Sequence, residues 1–379
     1  MSDAGDWPPG SWGRFEGPGG PIEVHLPPAF DAIGGLIEGQ AYAHLPMFSL
    51  ALDLLAPGSV VVDLGAHLGT FALVAAQLGH KVVAVEASPR NVRSLEASIR
   101  RNGFAGVEIA RAAVSDRAGQ LRFREEGAYG QVATTAQLGL TEVDADTLPS
   151  ILSGLGIERV DLVKMDIEGS EPAAIEGMAE MLHAPEAPLV LYESNWHTLR
   201  SFGSVPADLL QAFAAFGYEQ LLIDFWLTNT LIEVGGDSFQ PQTGVDYLAG
   251  KPLPAIPEPW TVRPPLTDDE CVDIMRYDAG YSNRDHRSSI AFALSLAPSR
   301  FLEREDVRVV LDALTIDPDD RVAASARWWR ERRRAGGALD ELLQLRELGL
   351  GFRDRVQRVG DHWHDDADAL ALRQAPAAP

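Results

Sequence analysis

Short apolar runs alternate with stretches of helical periodicity through the first two thirds of this chain. The runs predict strands at residues 59–64, 81–86, 107–114, 160–167 and 189–194, with two further candidates at 219–225 and 230–234. Helical stretches lie between several of them, as at residues 70–78 and 172–182. Because strands that alternate with helices build βαβ units, the pattern predicts a doubly wound α/β fold with a parallel sheet.

Sequence signals mark both ends of a predicted helix over residues 89–102. Ser88 is a favourable N-cap residue, Pro89 suits the first helical position, and Gly103 follows the last turn. Outside the doubly wound part, a short strand at 22–24 and a helix at 46–55 precede the sheet. Amphipathic helices are predicted near the other end, at residues 287–296, 306–314, 319–334 and 338–358.

These patterns and the local composition divide the chain into five parts. We predict a flexible tail at 1–20, a strand and helix lead-in at 21–58, the doubly wound domain at 59–240, a linker at 241–265 and a helical accessory region at 266–379. The tail and the linker are rich in Gly and Pro and show no regular apolar period, which is typical of irregular chain.

Charge and cysteine content narrow the partners and the compartment. The 379 residues carry a formal net charge of −23, which repels phosphate backbones and anionic lipid, so we expect no nucleic acid partner and no membrane partner. Cys271 is the single cysteine, which excludes an internal disulfide and fits a reducing cytoplasm. We see no secretory leader and no apolar run long enough to span a membrane. The sequence is compatible with a homo-oligomer but does not indicate one.

Two glycines and two acids follow the first two strands of the predicted sheet. Gly65 and Gly69 allow a sharp turn and a close approach of the backbone to a ligand, and Glu86 at the end of the next strand can accept ribose hydroxyls. A dinucleotide site has three glycines in G-x-G-x-x-G, whereas here Ala66 and His67 stand in the turn. Asp63 is placed to meet a cationic group, which favours S-adenosylmethionine over a pyrophosphate-bearing cofactor.

A second group of acids follows later strands of the same predicted sheet edge. Lys164, Asp166 and Glu168 alternate along one strand and share a face if it stays extended, so they could hold a substrate hydroxyl or its proton. His197 follows the fifth strand and can act as a general base, because imidazole titrates near neutral pH. A structural ion pair and an idle loop histidine remain the alternatives.

These elements, in this order, resemble the FkbM family of S-adenosylmethionine-dependent methyltransferases. The resemblance spans residues 33–224 and rests on the stretches 63–69, 85–89, 102–103, 112–116, 147–148 and 164–171, the last reading Lys-Met-Asp-Ile-Glu-Gly-Ser-Glu. It implies a Rossmann-like class I methyltransferase sheet, followed here by a C-terminal helical lobe. The family usually has Asn at the position of His67 and Asp at that of Pro149, a role that Asp144 or Asp146 could take over.

The resemblance also implies roles for particular residues. Asp63, Gly65, His67 and Gly69 would line the methionine part of S-adenosylmethionine, Glu86 its ribose, and Ala113, Val114 and Ser115 its adenine. Asp166, Glu168 and His197 are the candidate general bases, with Glu168 and His197 preferred. The expected reaction is O-methylation of a small molecule, sugar or natural-product intermediate, or else N-methylation of a peptide or amide.

Two other classes of function stay open at this point. One is a nicotinamide-dependent oxidoreductase that uses the same glycine turn, and the other is a non-catalytic scaffold that binds the cofactor. The arginine-rich stretch 321–334 favours an amphipathic helix over a nucleic acid site. We expect no metal, since the histidines and acids at 362–366 lack a second half of a site.

Overall fold

The computed structural model describes residues 8–327, except for short segments at 29–30, 43–44, 126–129, 134–139, 225–228, 236–238 and 281–286 and for residues 289, 292, 295–296, 298, 321 and 325. The strands are β1 (Ser11–Gly17), β2 (Gly20–Leu26), β3 (Val60–Leu64), β4 (Lys81–Val85), β5 (Val107–Ala110), β6 (Ala113–Val114), β7 (Gly119–Arg124), β8 (Gln131–Val132), β9 (Thr141–Asp146), β10 (Leu162–Met165), β11 (Leu189–Asn195), β12 (Glu219–Asp224), β13 (Thr230–Glu233), β14 (Gly244–Gly250) and β15 (Thr261–Arg263). The helices are α1 (Ala32–Glu38), α2 (Pro46–Asp53), α3 (Ala72–Gln77), α4 (Pro89–Asn102), α5 (Leu148–Gly154), α6 (Glu171–Gly177), α7 (Ala179–His183), α8 (Trp196–Arg200), α9 (Pro206–Ala215), α10 (Asp268–Ala279), α11 (Ser299–Leu302) and α12 (Glu305–Thr315).

A nine-stranded sheet forms the centre of the fold, in the order β15-β13-β12-β14-β11-β10-β3-β4-β5. The five strands from β11 to β5 run parallel, and β14 pairs antiparallel with both β11 and β12. This is the doubly wound α/β sheet that the sequence predicts. The order reverses between β3 and β10, so the carboxyl ends of these two strands form the crevice where such folds bind ligands.

Two apolar cores cover the two faces of this sheet. Inward-facing residues of α2, α3 and α4 pack with Val61, Val82 and Leu162 on one face. On the other face α6, α7 and α9 pack against Val62, Val83 and Val163. Since neighbouring residues of a buried strand point to opposite faces, both faces need apolar side chains, which explains the continuous apolar runs in the sequence.

The helix α4 confirms its predicted boundaries and the reason for them. The Ser88 hydroxyl accepts a hydrogen bond from the backbone N–H of Asn91, Pro89 opens the helix, and Gly103 ends it with a left-handed φ of 72°. The helix predicted at 306–314 is also present, as α12. The stretch predicted as one helix over 172–182 is instead α6 and α7, which share a boundary at Met178.

The predicted strand at 107–114 is divided between two sheets. Its first part, β5, is the outer strand of the main sheet, and β6 pairs with β9 in a separate four-stranded sheet of order β6-β9-β7-β8. Residues 111–112 separate the two parts. The small sheet therefore begins beside the carboxyl end of β4, directly next to the predicted ligand crevice.

Two segments expected to be irregular are strands. Residues 11–17, within the predicted flexible tail, form β1, which pairs with β2 along its full length. Residues 244–250, within the predicted linker, form β14 between β11 and β12. The sequence pattern misses β14 because five of its seven residues are buried, and a strand covered on both faces has no alternation of apolar and polar residues. The sheet continues to Arg263.

The helices α10 and α12 share a core of their own after the sheet ends. Met275, Phe301 and Val310 belong to this cluster, against which Phe239 and Leu266 pack from outside. The buried Asp278 carboxylate accepts hydrogen bonds from the backbone N–H and the hydroxyl of Thr243, which ties α10 to the start of β14. The predicted helices at 319–334 and 338–358, like residues 362–366, lie largely or wholly outside the described residues.

Candidate active site

The loop after β3 can be built only with glycine at two positions. Gly65 has a φ of 75°, and a Cβ atom there would lie 2.0 Å from the carbonyl oxygen of Asp166. Gly69 has a φ of 88°, and its Cβ would lie 2.4 Å from a methyl carbon of Leu95. Both glycines are thus required by space as well as by backbone conformation. The loop lies directly against the end of β10.

Glu86, at the end of β4, holds the same loop through its backbone. One carboxylate oxygen accepts the N–H of His67 at 2.7 Å, and the other accepts the N–H of Ser88 at 2.7 Å. Burial raises the pKa of this carboxyl above its usual range, while the two hydrogen bonds and the nearby His67 lower it. Glu86 therefore joins the glycine loop to the N-terminus of α4.

The register of β3 and β10 places Lys164 opposite Asp63. The Lys164 Nζ lies 3.4 Å from an Asp63 oxygen and 3.3 Å from an Asp166 oxygen. Burial lowers the pKa of this ammonium, but the two carboxylates outweigh burial and raise it above its ordinary value. Asp63 itself is fully buried, and burial raises the pKa of its carboxyl against the opposing effect of Lys164. The sequence grouped Lys164 with Asp166 and Glu168 on one strand face, but β10 ends at Met165, and Lys164 pairs with Asp166 and with Asp63 of β3.

A pocket opens at this crevice, with about 550 Å³ of empty space including its solvent-open mouth. Its described lining consists of Gly65, His67, Val85, Glu86, Ala87, Asn91, Ala112, Ala113, Val114, Phe123, Gly130, Val132, Asp166, Ile167, Glu168 and Ser170.

Five of the eight residues predicted to bind the cofactor line this pocket, namely Gly65, His67, Glu86, Ala113 and Val114. Asp63, Gly69 and Ser115 are not among its described lining. Asp63 lies beneath the loop with Lys164, and Gly69 packs on Leu95. The buried Ser115 hydroxyl donates instead to the Asp116 carboxylate at 3.0 Å. These three contribute to the frame of the pocket.

Two acids of the pocket wall, Asp166 and Glu168, belong to a cluster with Glu193 and Asp246, and these four are called the rim acids below. Asp166, Glu168 and Glu193 each offer an oxygen within 4.8 Å of the others, a spacing that also occurs in metal sites. Asp246 is the cross-strand partner of Glu193. Burial, followed by the neighbouring acids, raises the pKa of Glu168 and of Glu193 well above its usual range, and it raises that of Asp246 to about 7. Among these acids, Asp246 is therefore able to bind a proton near neutral pH.

Two further acids accept hydrogen bonds from backbone N–H groups close to them in the chain. Glu171 is buried, accepts the N–H of Ile167 at 3.0 Å, and has a pKa raised to about 7, chiefly by burial. Asp146 accepts the N–H of Thr147 and the hydroxyl of Ser150. Neither Glu171 nor Asp146 is part of the described lining of the pocket.

His197, a candidate base, lies in the short helix α8 and outside the described lining of the pocket. Its Nδ1 lies 3.0 Å from the Arg200 guanidinium, and its backbone N–H donates to the Asn195 side chain. The crevice thus brings Asp166 and Glu168 together with the cofactor-site residues but does not bring His197 to the same wall.

Sequence reasoning missed several residues around the site. Asp246 falls in the predicted linker, so its strand and its place beside Glu193 were not visible. Phe123 of β7 and Val132 of β8 also line the pocket, and no sequence motif marks them as pocket residues. Asp31 contacts His67 from the lead-in, where only its position as an N-cap before α1 could be recognised.

The charged residues of the pocket wall indicate which cofactor the pocket can bind. Among the described residues, the pocket wall holds the acids Glu86, Asp166 and Glu168 and no Lys or Arg. This set repels a pyrophosphate and suits a ligand with a sulfonium and an ammonium group. Fold, glycine loop and acidic wall together define a methyltransferase that uses S-adenosylmethionine.

Comparison with protein families identifies this domain. The family model described as Methyltransferase FkbM domain matches residues 63–219. The chain therefore carries an FkbM methyltransferase domain, as the motifs predict, and the match stands against the nicotinamide-dependent alternative. A comparison with curated proteins gives no match.

Solved structures of other methyltransferases show limited similarity to the chain. Precorrin-6y C5,15-methyltransferase from Geobacter metallireducens is 12% identical with a TM-score of 0.33, covering 58% of this chain and 93% of that one. A ribosomal protein L11 methylase from Lactobacillus delbrueckii is 14% identical with a TM-score of 0.33, covering 55% and 77%. A TehB-like methyltransferase from Corynebacterium glutamicum is 12% identical with a TM-score of 0.33, covering 57% and 92%.

None of the described helices is both long enough and apolar enough to cross a bilayer.

Proposed function

We propose that this protein transfers the methyl group of S-adenosylmethionine to a hydroxyl group of a small, neutral or cationic acceptor. The observation that carries the proposal is the cluster of Asp166, Glu168 and Glu193, of which Asp166 and Glu168 line the pocket that also contains Gly65 and Glu86. An attacking hydroxyl must lose its proton, and acids with raised pKa values beside the cofactor pocket can take it.

The cofactor residues divide into two groups. Gly65, His67 and Glu86 would hold the methionine and ribose parts, and Ala113 and Val114 the adenine, against the apolar side chains of Phe123 and Val132. When bound, S-adenosylmethionine supplies an electrophilic methyl group on a positively charged sulfur. The protein contributes the alignment of the acceptor oxygen with that methyl group, which is the main source of acceleration in such transfers.

Glu168 is the strongest candidate for the general base. It lines the pocket, whereas His197 does not, and it has a left-handed φ of 55° that sets it apart from its neighbours on the loop. A strained non-glycine residue is often held in place for function. Asp166 is paired with Lys164 and is therefore a weaker base. Glu168 would take the proton of the acceptor hydroxyl and pass it to solvent.

The charge of the rim bears on the acceptor. The four rim acids lie at or beside the pocket, and Lys164, which contacts one of them, is already paired with Asp63 and Asp166. Together with the net charge of −23, this favours a neutral or cationic acceptor and opposes one that carries phosphates, nucleic acids included. We therefore expect the acceptor to be a small molecule such as a natural-product intermediate.

An assay of methyl transfer tests the proposal. The purified full-length chain is incubated with trideuteromethyl-labelled S-adenosylmethionine and metabolite extracts of a deletion strain, and mass spectrometry locates the labelled product. Fragmentation shows whether oxygen or nitrogen carries the label. Label on an amine or amide nitrogen would refute the hydroxyl assignment and support the peptide or amide alternative.

Two variants test the base. We expect Glu168→Gln to lower kcat by about 10²- to 10⁴-fold with little change in affinity for S-adenosylhomocysteine. The exposed Glu180, on α7, provides the matched control Glu180→Gln, which should retain full activity. Full activity of Glu168→Gln together with a large loss in His197→Asn would assign the base to His197 instead.

A further inference from the structure

The amino-terminal lead-in reaches the cofactor loop, although it lies outside the matched domain at 63–219. An oxygen of Asp31 lies 2.8 Å from Nε2 of His67. Tyr42, from the same lead-in, hydrogen-bonds the Thr70 side chain. The glycine loop therefore contacts the lead-in as well as Glu86.

The lead-in is itself firmly attached to the body of the domain. Asn102 of α4 exchanges hydrogen bonds with the backbone of Glu23, and the backbone N–H of His25 donates to Ser98. The Tyr42 ring packs edge-on against Phe15, with ring centroids 5.1 Å apart. Because β2 is fixed to α4 in this way, Asp31 approaches His67 from a fixed base.

His67 occupies an unusual backbone position. Its φ is 53°, a left-handed conformation that costs a side chain-bearing residue about 1–2 kcal/mol, and Asn pays less because its short side chain bonds locally. In that conformation the backbone N–H of His67 points at Glu86 and donates at 2.7 Å. Any loss of the left-handed turn would also break this bond to the acid expected to hold the ribose.

Asp31 uses its two oxygens separately. Oδ1 accepts the N–H of Gly34 at 3.0 Å and caps α1, while Oδ2 meets the His67 ring, which donates because a carboxylate only accepts. Only 10% of the Asp31 side chain and 15% of the His67 side chain are exposed, so water competes weakly for this contact.

We propose that Asp31 is a positioning residue for the cofactor. It holds His67 in the left-handed conformation that presents its backbone N–H to Glu86, and so keeps the pocket shaped for the methionine and ribose parts of S-adenosylmethionine. The inference rests on the proposed cofactor site but not on the acceptor. It gives this chain a reason to have His where the family usually has Asn, since an Asn side chain is too short to reach Asp31.

The test measures affinity for S-adenosylhomocysteine by titration calorimetry on the full-length chain, which needs no acceptor. Asp31→Ser retains a good helix cap but loses the reach to His67, so we expect about ten-fold weaker affinity with nearly unchanged thermal stability. Asp31→Asn retains an oxygen at the same distance and should recover most of that loss.

The substitution Asp31→Ser is also made in the His67→Asn background, which shows whether its effect depends on the His67 ring. His67→Asn removes the ring that Asp31 contacts, and the affinity of this variant for S-adenosylhomocysteine is the reference for the second background. In that background Asp31→Ser should leave the affinity unchanged. Equal losses from Asp31→Ser in both backgrounds, or none in either, would overturn the inference while leaving the acceptor chemistry of the proposed function standing.

Discussion

Lys164 lies between Asp63 and Asp166, with its Nζ 3.4 Å from one carboxylate and 3.3 Å from the other. One cation thus joins the ends of the two central strands, β3 and β10, at the point where the strand order reverses. Asp63 is completely buried and Lys164 nearly so. The pair stabilises the crevice only as long as both partners are present.

Removal of Lys164 alone should destabilise the protein strongly. Lys164→Met leaves Asp63 buried without its cation, and we expect a loss of about 3–5 kcal/mol in the free energy of unfolding. Urea denaturation measures this loss. The double variant Asp63→Asn with Lys164→Met should recover most of it, because no buried charge is left unpaired. Lys81→Met, at an exposed lysine, is the matched control and should change stability by less than about 0.5 kcal/mol.

Substitution of Gly65 should remove cofactor binding, whereas substitution of Gly79 should not. Gly65→Ala adds a methyl group 2.0 Å from the Asp166 carbonyl, so the loop or β10 must move, at a cost of more than about 2 kcal/mol. Gly79 has a φ of 86° with open space around it, so Gly79→Ala bears only the backbone penalty of about 1–2 kcal/mol. Calorimetry with S-adenosylhomocysteine should show lost binding for the first variant and normal affinity for the second. Equal affinities would contradict the placement of Gly65 in the cofactor pocket.

Glu86→Gln should weaken cofactor binding by about ten-fold, since an unmade hydrogen bond to a buried group costs about 1–3 kcal/mol. Both Glu86 oxygens accept backbone N–H groups, and a glutamine can offer only one acceptor, while its NH₂ group would face a donor. The matched control is Glu108→Gln, at an exposed acid on β5. Titration with S-adenosylhomocysteine measures both variants, and an unchanged affinity for Glu86→Gln would exclude it from the site.

Asp246→Asn should stabilise the protein relative to the natural chain, and this gain in stability should be larger at alkaline pH than at acidic pH. The pKa of Asp246 is raised by burial from an ordinary 3.8 to about 7, so the folded protein binds its proton more tightly than the unfolded chain does. Stability from this group is therefore present at low pH and is lost as the pH rises from about 4 to about 7. The asparagine variant lacks that loss.

Urea unfolding at pH 5 and pH 8 measures the effect of Asp246→Asn. Glu158→Gln, at an exposed acid, corrects for the general gain from removing one negative charge in a chain with a net charge of −23. A gain that is the same for both variants at both pH values would mean that the pKa of Asp246 is not raised in the folded protein.

The central strands and the glycine loop were predictable because their causes are local. Gly65, Gly69 and Ser88 are required by the backbone at their own positions, and the apolar runs of β3, β4, β10 and β11 reflect burial on both faces. The acids at the strand ends were predictable as well, since the carboxyl ends of parallel strands meet at one edge of a sheet. The family motif added the cofactor to this local information.

Other parts of the site depend on contacts that no local pattern records. β14 lacks alternation because an apolar core covers each face of the sheet there, with Leu248 in one core and Tyr247 in the other, so Asp246 could not be placed beside Glu193. His197 follows the expected strand but enters α8, which turns it to Arg200. Asp31 meets His67 only because β2 is fixed to α4 far along the chain.

The sequence by itself determined the doubly wound sheet, the turn at Gly65 and Gly69, the acids of the crevice and the methyltransferase family. These features follow from local backbone requirements and from the burial of whole strands. Only the tertiary structure decided which acids share the rim, which residues line the pocket and that the lead-in holds His67. Such relations depend on the register between strands and on packing between distant segments, which set distances that residue order alone does not fix.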